Sequence, residues 1–197
     1  MKREGPANKV FAAASGEDHY DWLRFGMVKK TVLLLASLLV VSMIWFSGFD
    51  LVYAKALTGA SNTLLGLAGR ETRIEVGSDN GNEFFRVNTV IEGRGASYPQ
   101  TMGALLLPVV MVVAWQIFMA FFLRRKRWIK YTLINTGIFS VIQVIFLLLL
   151  SAYYTSLAAK YVYDMMMDSF YVIALVIILI DNIRHPVFLS LLGVRDR

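Results

Sequence analysis

The 197-residue sequence contains no cysteine. Disulfides, thiolate metal sites and cysteine nucleophiles are therefore excluded together. Histidine is nearly absent. His19 and His185 are the only two, too few for a histidine-built metal centre. Charge is scarce as well: 17% of residues are Asp, Glu, Lys or Arg and 57% are hydrophobic. An average soluble domain has about 25% and about 45–50%. Those proportions fit neither a soluble domain nor a disordered chain nor a fibrous repeat. The sequence has no Walker motif, no dinucleotide glycine fingerprint and no HExxH. Gly93-x-Gly95 alone does not make one.

The charge that is present follows a pattern. A net charge of +6 would suit a nucleic-acid partner if it formed a patch. Instead Lys29 and Lys30 precede the first apolar run, and Arg124, Arg125, Lys126, Arg127 and Lys130 follow the second. Cations at the ends of apolar runs set membrane topology. The expected partner is the lipid bilayer, with no nucleic acid.

A helix needs about 20 mostly apolar residues to cross a bilayer. Four such stretches are expected, at 31–49, 102–123, 131–153 and 161–181. The fourth reaches its length only by taking in Asp164 and Asp168. Ala54-Lys55-Ala56 fits a signal-peptidase rule, but the leader of about 30 residues and the length of the apolar run favour a retained anchor. Basic residues in the 1–30 leader, the 124–130 loop and the 182–197 tail fall on one side of a four-span chain. Both termini are then cytoplasmic, in what reads as a bacterial cytoplasmic membrane. The fold class is an all-α integral membrane protein: a four-span helical bundle with a small extracytoplasmic α+β element between spans one and two.

That element covers 50–101. Its first part, to about residue 68, reads as a helix that continues span one or bends onto the membrane surface, with Gly69 as a stop. Residues 72–76 alternate in polarity, with Ile74 and Val76 on one face. Residues 78–82 are turn chemistry. Residues 83–91 alternate again, placing Phe85, Val87, Thr89 and Ile91 together. This predicts a β-hairpin. A lone hairpin is marginal in water, so it must pack on the helix, on the 154–160 loop or on a partner. Residues 92–99 are expected to be a loop into span two.

The order of a span, a surface helix, Leu-Leu-Gly-Leu-Ala-Gly at 64–69, a strand, a turn, a second strand, a Gly-rich loop and another span resembles the middle of the exosortase and archaeosortase family of membrane transpeptidases. It is similar also to the small membrane proteins associated with those systems. The family's nucleophilic cysteine lies in the loop after the second strand. Here that stretch is Gly93-Arg94-Gly95-Ala96-Ser97, and no outward-facing arginine and histidine follow in the later spans. The resemblance thus implies a catalytically empty relative or an accessory protein.

Other chemistry is weighed residue by residue. Ser97 lacks a histidine on its side of the membrane, and pairing it with Lys55 or Lys160 matches no motif. Asp164 and Asp168, at i and i+4, could share a proton or hold a cation; a solvated helix start is the simpler reading. Met165, Met166 and Met167 do not align on one face and read as packing. Asn135, Gln116 and Gln143 within spans read as helix–helix contacts. Asp181 and Arg184 at i and i+3 can pair. No catalytic, cofactor-binding or metal residue is assigned. The expected function is a non-catalytic accessory or scaffold subunit of an envelope export, processing or surface-polymer assembly. Its partner-contact candidates are Phe85, Val87, Ile91, Arg94, Tyr98, Asp164 and Asp168. The alternatives are a membrane-embedded enzyme using Glu92, Arg94 and Tyr98, and a small transporter or channel.

Overall fold

A computed structural model describes residues 26–79, 82–91, 93–167, 169–185 and 187–188. Expectations for the leader, Glu92, Asp168 and most of the tail lie outside the described residues.

Helix α1, Met27–Ile44, runs through a π-helical turn, Trp45–Phe49, into helix α2, Asp50–Leu67. Span one and the surface helix are therefore one continuous 41-residue element. Gly48 makes the break between them, with φ of 105°. A side chain is strained in that left-handed region and glycine is not. The extra residue of a π turn redirects a helix at such points.

Three strands follow: β1, Arg73–Asp79; β2, Asn82–Ile91; and β3, Arg94–Thr101. They form one antiparallel sheet in the order β1-β2-β3. The hairpin expected from alternation is present, with Ile74 facing Val87 and Val76 facing Phe85. The loop expected over 92–99 is instead β3, paired from Ile91–Arg94 to Phe84–Thr101. Gly95 and Pro99 had hidden it by breaking the strand pattern. Gly93, with φ of 76°, makes the tight return that lets β3 fold back on β2.

Helix α3, Gly103–Ala120, and helix α4, Arg125–Ser151, come next. The basic run at 124–130, expected as a loop, forms the first turns of α4 from Arg125 onward. Helix α5, Leu157–Met167, and helix α6, Phe170–Arg184, are the last of the described helices. The single fourth span expected at 161–181 is these two helices, bent by 58°.

Among the described residues, three elements are long and apolar enough to cross a membrane: Met27–Leu67, α3 and α4. Their burial differs. In the most apolar window of each, 61% of α3 is buried, against 17% of Met27–Leu67 and 33% of α4. α3 is thus the central helix, and α1, α4 and α6 pack on it. The outer faces carry Val32, Leu35, Leu39 and Met43 on α1, and Ile134, Ile138, Val141 and Ile145 on α4, all exposed. Water would not tolerate so many apolar side chains, but lipid does. The sheet packs on α2 and on α4. Ile74, Phe85 and Val87 join Ala54, Leu57, Leu65 and Phe146 in one core that continues into the helices.

Candidate functional site

Three clusters of polar side chains lie where elements cross. The first lies where α3, α4 and α6 meet near the basic run. Asp181 is only 2% exposed. Its Oδ2 accepts from Trp115 Nε1 at 2.9 Å and from Gln116 Nε2 at 3.1 Å. Thr132 Oγ1 donates to Gln116 Oε1 at 3.5 Å, and Trp128 Nε1 to the Gln116 carbonyl at 2.6 Å. Two indoles and an amide thus tie α6 and the start of α4 to α3. The pair that Asp181 and Arg184 could have made is not what forms: Asp181 turns inward, while Arg184 is exposed. A carboxylate hidden from water needs donors near it, and the two nearest come from α3.

The second place is midway along α4. Tyr53 Oη lies 2.8 Å from Ser140 Oγ and donates to Gln143 Oε1 at 2.6 Å. Gln143 Nε2 donates to the Leu105 carbonyl at 2.6 Å, in the turn before Pro108. One glutamine therefore joins α2, α3 and α4. Gln116 and Gln143 both make the helix–helix contacts expected of them. Asn135, also buried, leaves its Nδ2 without a hydrogen-bond partner.

The third place is the seam between sheet and helices. Asn62 of α2 clips Ile74: its Nδ2 donates to the Ile74 carbonyl at 2.8 Å, and its Oδ1 accepts from the Ile74 N–H at 2.9 Å. Thr72 and Thr89 hydroxyls meet at 2.7 Å. Tyr98 Oη donates to the Leu150 carbonyl at 2.7 Å, and its ring meets Tyr154 edge-on at 4.5 Å. Burial pushes the Tyr98 hydroxyl up to about 12, with Tyr154 adding to the rise.

The Asn62 clip fixes how the sheet presents itself. Ile74's polar groups face α2, hence away from β2. In an antiparallel sheet, alternate residues turn their N–H and C=O to the same neighbour. The register Ile74–Val87–Tyr98 then turns Val87 and Tyr98 toward each other. Gly95, Ser97, Pro99 and Thr101 face the open side of β3. Pro99 has no N–H to lose there, which is where proline is tolerated in a sheet. One edge is thus closed by a side chain and the other is open.

The sequence-derived candidates separate on this frame. Phe85 and Val87 are 1% and 0% exposed and lie in the chain's own core. Ile91 is half-buried at the end of β2. Tyr98 is half-buried and engaged with α4, while Arg94, Ser97 and Asp164 are exposed. Lys160 lies over the Tyr153 ring at 5.7 Å. Sequence reading missed Tyr53 and Asn62 altogether. An indole as far from a span end as Trp115 is the signal that could have pointed to Asp181's partner.

Among the described residues, no group of three or more His, Cys, Asp or Glu side chains could hold a metal ion. No family model, curated protein or solved structure matches this chain.

Proposed function

We propose that the chain is a non-catalytic scaffold or accessory subunit of an envelope assembly. It crosses the membrane four times, with the α5–α6 pair as the fourth crossing and both ends cytoplasmic. On this reading it stands beside exosortase-like transpeptidases as a relative or associate without their nucleophile. It builds a firm platform outside the membrane on which a protein partner docks.

One observation carries the reading: the asymmetry of the sheet. Its inner face is filled by Ile74, Phe85 and Val87, and Asn62 closes the β1 edge. What is left to meet another molecule is the β3 edge, with Arg94 and Ser97 exposed. An open edge is a template for main-chain pairing, and chains that do not use one usually block it. Gln116, Gln143 and Asp181 also support the reading, because they are engaged in holding helix to helix.

The test is purification of the full chain from its native membranes, with and without Ser97→Pro. The substitution removes an N–H that points away from β2. We expect a stoichiometric membrane or envelope protein with the unaltered chain, and its loss with Ser97→Pro at unchanged abundance of the chain. A chain that supports function while purifying alone would defeat the scaffold reading. So would an Arg94→Ala or Tyr98→Phe variant that is fully assembled yet inactive, since that is how an active site behaves.

A further inference from the structure

Helices α2 and α4 end at one pocket. α2 stops at Leu67, and Gly69, with φ of 66°, turns the chain out of it. The Gly69 N–H donates to the Gly66 carbonyl and the Arg70 N–H to the Leu65 carbonyl, both at 3.0 Å. A glycine-ended helix satisfies its last carbonyls in this way. The turn also delivers Arg70, Glu71 and Thr72 in succession to the end of α4, where Ser151 and Thr155 lie. With Thr89 of β2, these residues line a pocket of about 220 Å³. Thr72, Thr89 and Ser151, each 9% exposed, form its floor. Arg70, Glu71 and Thr155 are exposed at its rim.

The hydroxyl protons are unevenly used. Ser151 Oγ donates to the Leu148 carbonyl at 2.6 Å, and Thr155 Oγ1 to the Ala152 carbonyl at 3.2 Å. Both oxygens are left with acceptor capacity alone. Thr72 and Thr89 differ. Their oxygens lie 2.7 Å apart, and one proton serves that contact. The proton of the other hydroxyl has no acceptor among the described residues. A buried donor without an acceptor is costly. Both threonines line the pocket, so whatever fills it should accept that proton.

The charges narrow the occupant. A guanidinium only donates and a carboxylate only accepts. Neither Arg70 nor Glu71 makes an ion pair among the described residues. Together they leave the rim neutral, so an anion meets Glu71 and a cation meets Arg70. The carbonyl ends of α2 and α4 carry partial negative charge and disfavour an anion further. A neutral ligand whose groups each donate and accept matches this set, and a hydroxyl is such a group. A zwitterion would engage the rim and leave the hydroxyl floor unused.

We propose that this pocket binds one ring of a neutral sugar. Its volume is below the roughly 300–1,000 Å³ of pockets for drug-sized ligands, which suits a single ring. The spare threonine proton goes to one sugar oxygen, Ser151 and Thr155 accept from sugar hydroxyls, and Arg70 and Glu71 hold the outer edge of the ring. The proposal does not rest on the scaffold reading, because the open edge of β3 takes no part in it.

The test is saturation-transfer NMR of the full-length chain, purified in a detergent without a sugar headgroup. The probes are glucose, galactose, mannose and N-acetylglucosamine. At least one should bind, with a dissociation constant on the order of millimolar. Thr89→Val keeps the shape and removes a hydroxyl, and should weaken binding by about tenfold. Arg70→Gln with Glu71→Gln, at two exposed positions, should weaken it by a similar factor. Thr63→Val, at an exposed hydroxyl of α2 outside the pocket, should change nothing. Transfer to none of the four sugars overturns the site, and that result needs no variant. Unchanged binding by Thr89→Val, or by the rim variant should Thr89→Val fail to fold, also overturns it. If glycine at the same concentration displaces the sugar completely, the charged rim alone makes a zwitterion site and the sugar assignment fails.

Discussion

Two crossings in this molecule are held by one side chain reaching to another element, and they differ in what surrounds them. Asp181 accepts from two α3 side chains where water is excluded. Asn62 clips the Ile74 backbone at a half-buried sheet edge. The geometry is comparable, but the consequence of losing it is not. A donor left bare in an apolar interior costs its full desolvation, whereas one near water finds a replacement. Position relative to solvent, more than the number of bonds, sets how much each crossing depends on its clip.

The largest effect should come from Asp181→Ala, which strands the Trp115 and Gln116 donors. We expect a loss of about 3–5 kcal/mol, near the sum of two unsatisfied buried groups, read from reversible unfolding of the purified chain in detergent. Asp181→Asn keeps an acceptor and should lose about 1 kcal/mol. If alanine and asparagine behave alike, the two donors find other partners and the contrast with Asn62 disappears.

Phe85→Ala comes next. The ring is 1% exposed in the core shared by sheet and helices, and emptying such a site costs about 3 kcal/mol. The loss should be local. Amide exchange should speed up across β1, β2 and β3 while α3 stays protected. Uniform exchange over the helices would mean that the sheet and the bundle fold as one unit.

How much was legible follows the same line. Apolar runs and period-two alternation showed the helices and the first two strands, because Phe85, Val87 and Ile74 each obey a simple burial rule. β3 was not legible. Pro99 and Gly95 read as loop residues, and only the register shows that Pro99 lies at an edge where its missing N–H is harmless. The helix junction at Gly48 was half legible, since the sequence left open whether span one continues or bends. The bend between α5 and α6 was hidden for a different reason. Composition measures length and apolarity and says nothing of direction. Of the candidate site, Arg94 and Tyr98 were legible as polar and aromatic residues in the segment between the first two apolar runs. Asp181's partners were not, since Trp115 and Gln116 come from another helix. Asn62 was not either, because its value depends on which way Ile74's backbone points.

Asn62→Ala should cost less than either substitution above, about 1 kcal/mol, because Asn62 is half-buried and its removal lets water reach the Ile74 N–H and carbonyl. It should also make β1 resemble β3, with a second open edge. The expected sign is concentration-dependent self-association of the purified chain, read by light scattering, that the unaltered protein lacks. Unchanged dispersity would show that another element shields the β1 edge.

The smallest effect concerns the outer face of the sheet, and its sign is the informative part. Gly77 lies opposite Phe84 in the register. A Cβ on Gly77 would come within 2.7 Å of Phe84 Cε2, so the ring covers the bare glycine. Arg86 lies over that ring at 5.2 Å. Gly77 has no positive φ, and alanine in a strand is otherwise better than glycine by about 0.5–1 kcal/mol. Against this, Gly77→Ala must push the ring aside and loosen a cation–π contact worth about 0.5–1 kcal/mol at an exposed site. The two nearly cancel, and Gly77→Ala alone should change stability by under about 0.5 kcal/mol. With Phe84→Ala already in place the obstruction is gone. The same Gly77→Ala should then stabilise the sheet by about 0.5–1 kcal/mol, measured as a double-mutant cycle. An equal effect in both backgrounds would mean that the ring does not rest on the glycine, and that the outer face of the sheet is looser than its register implies.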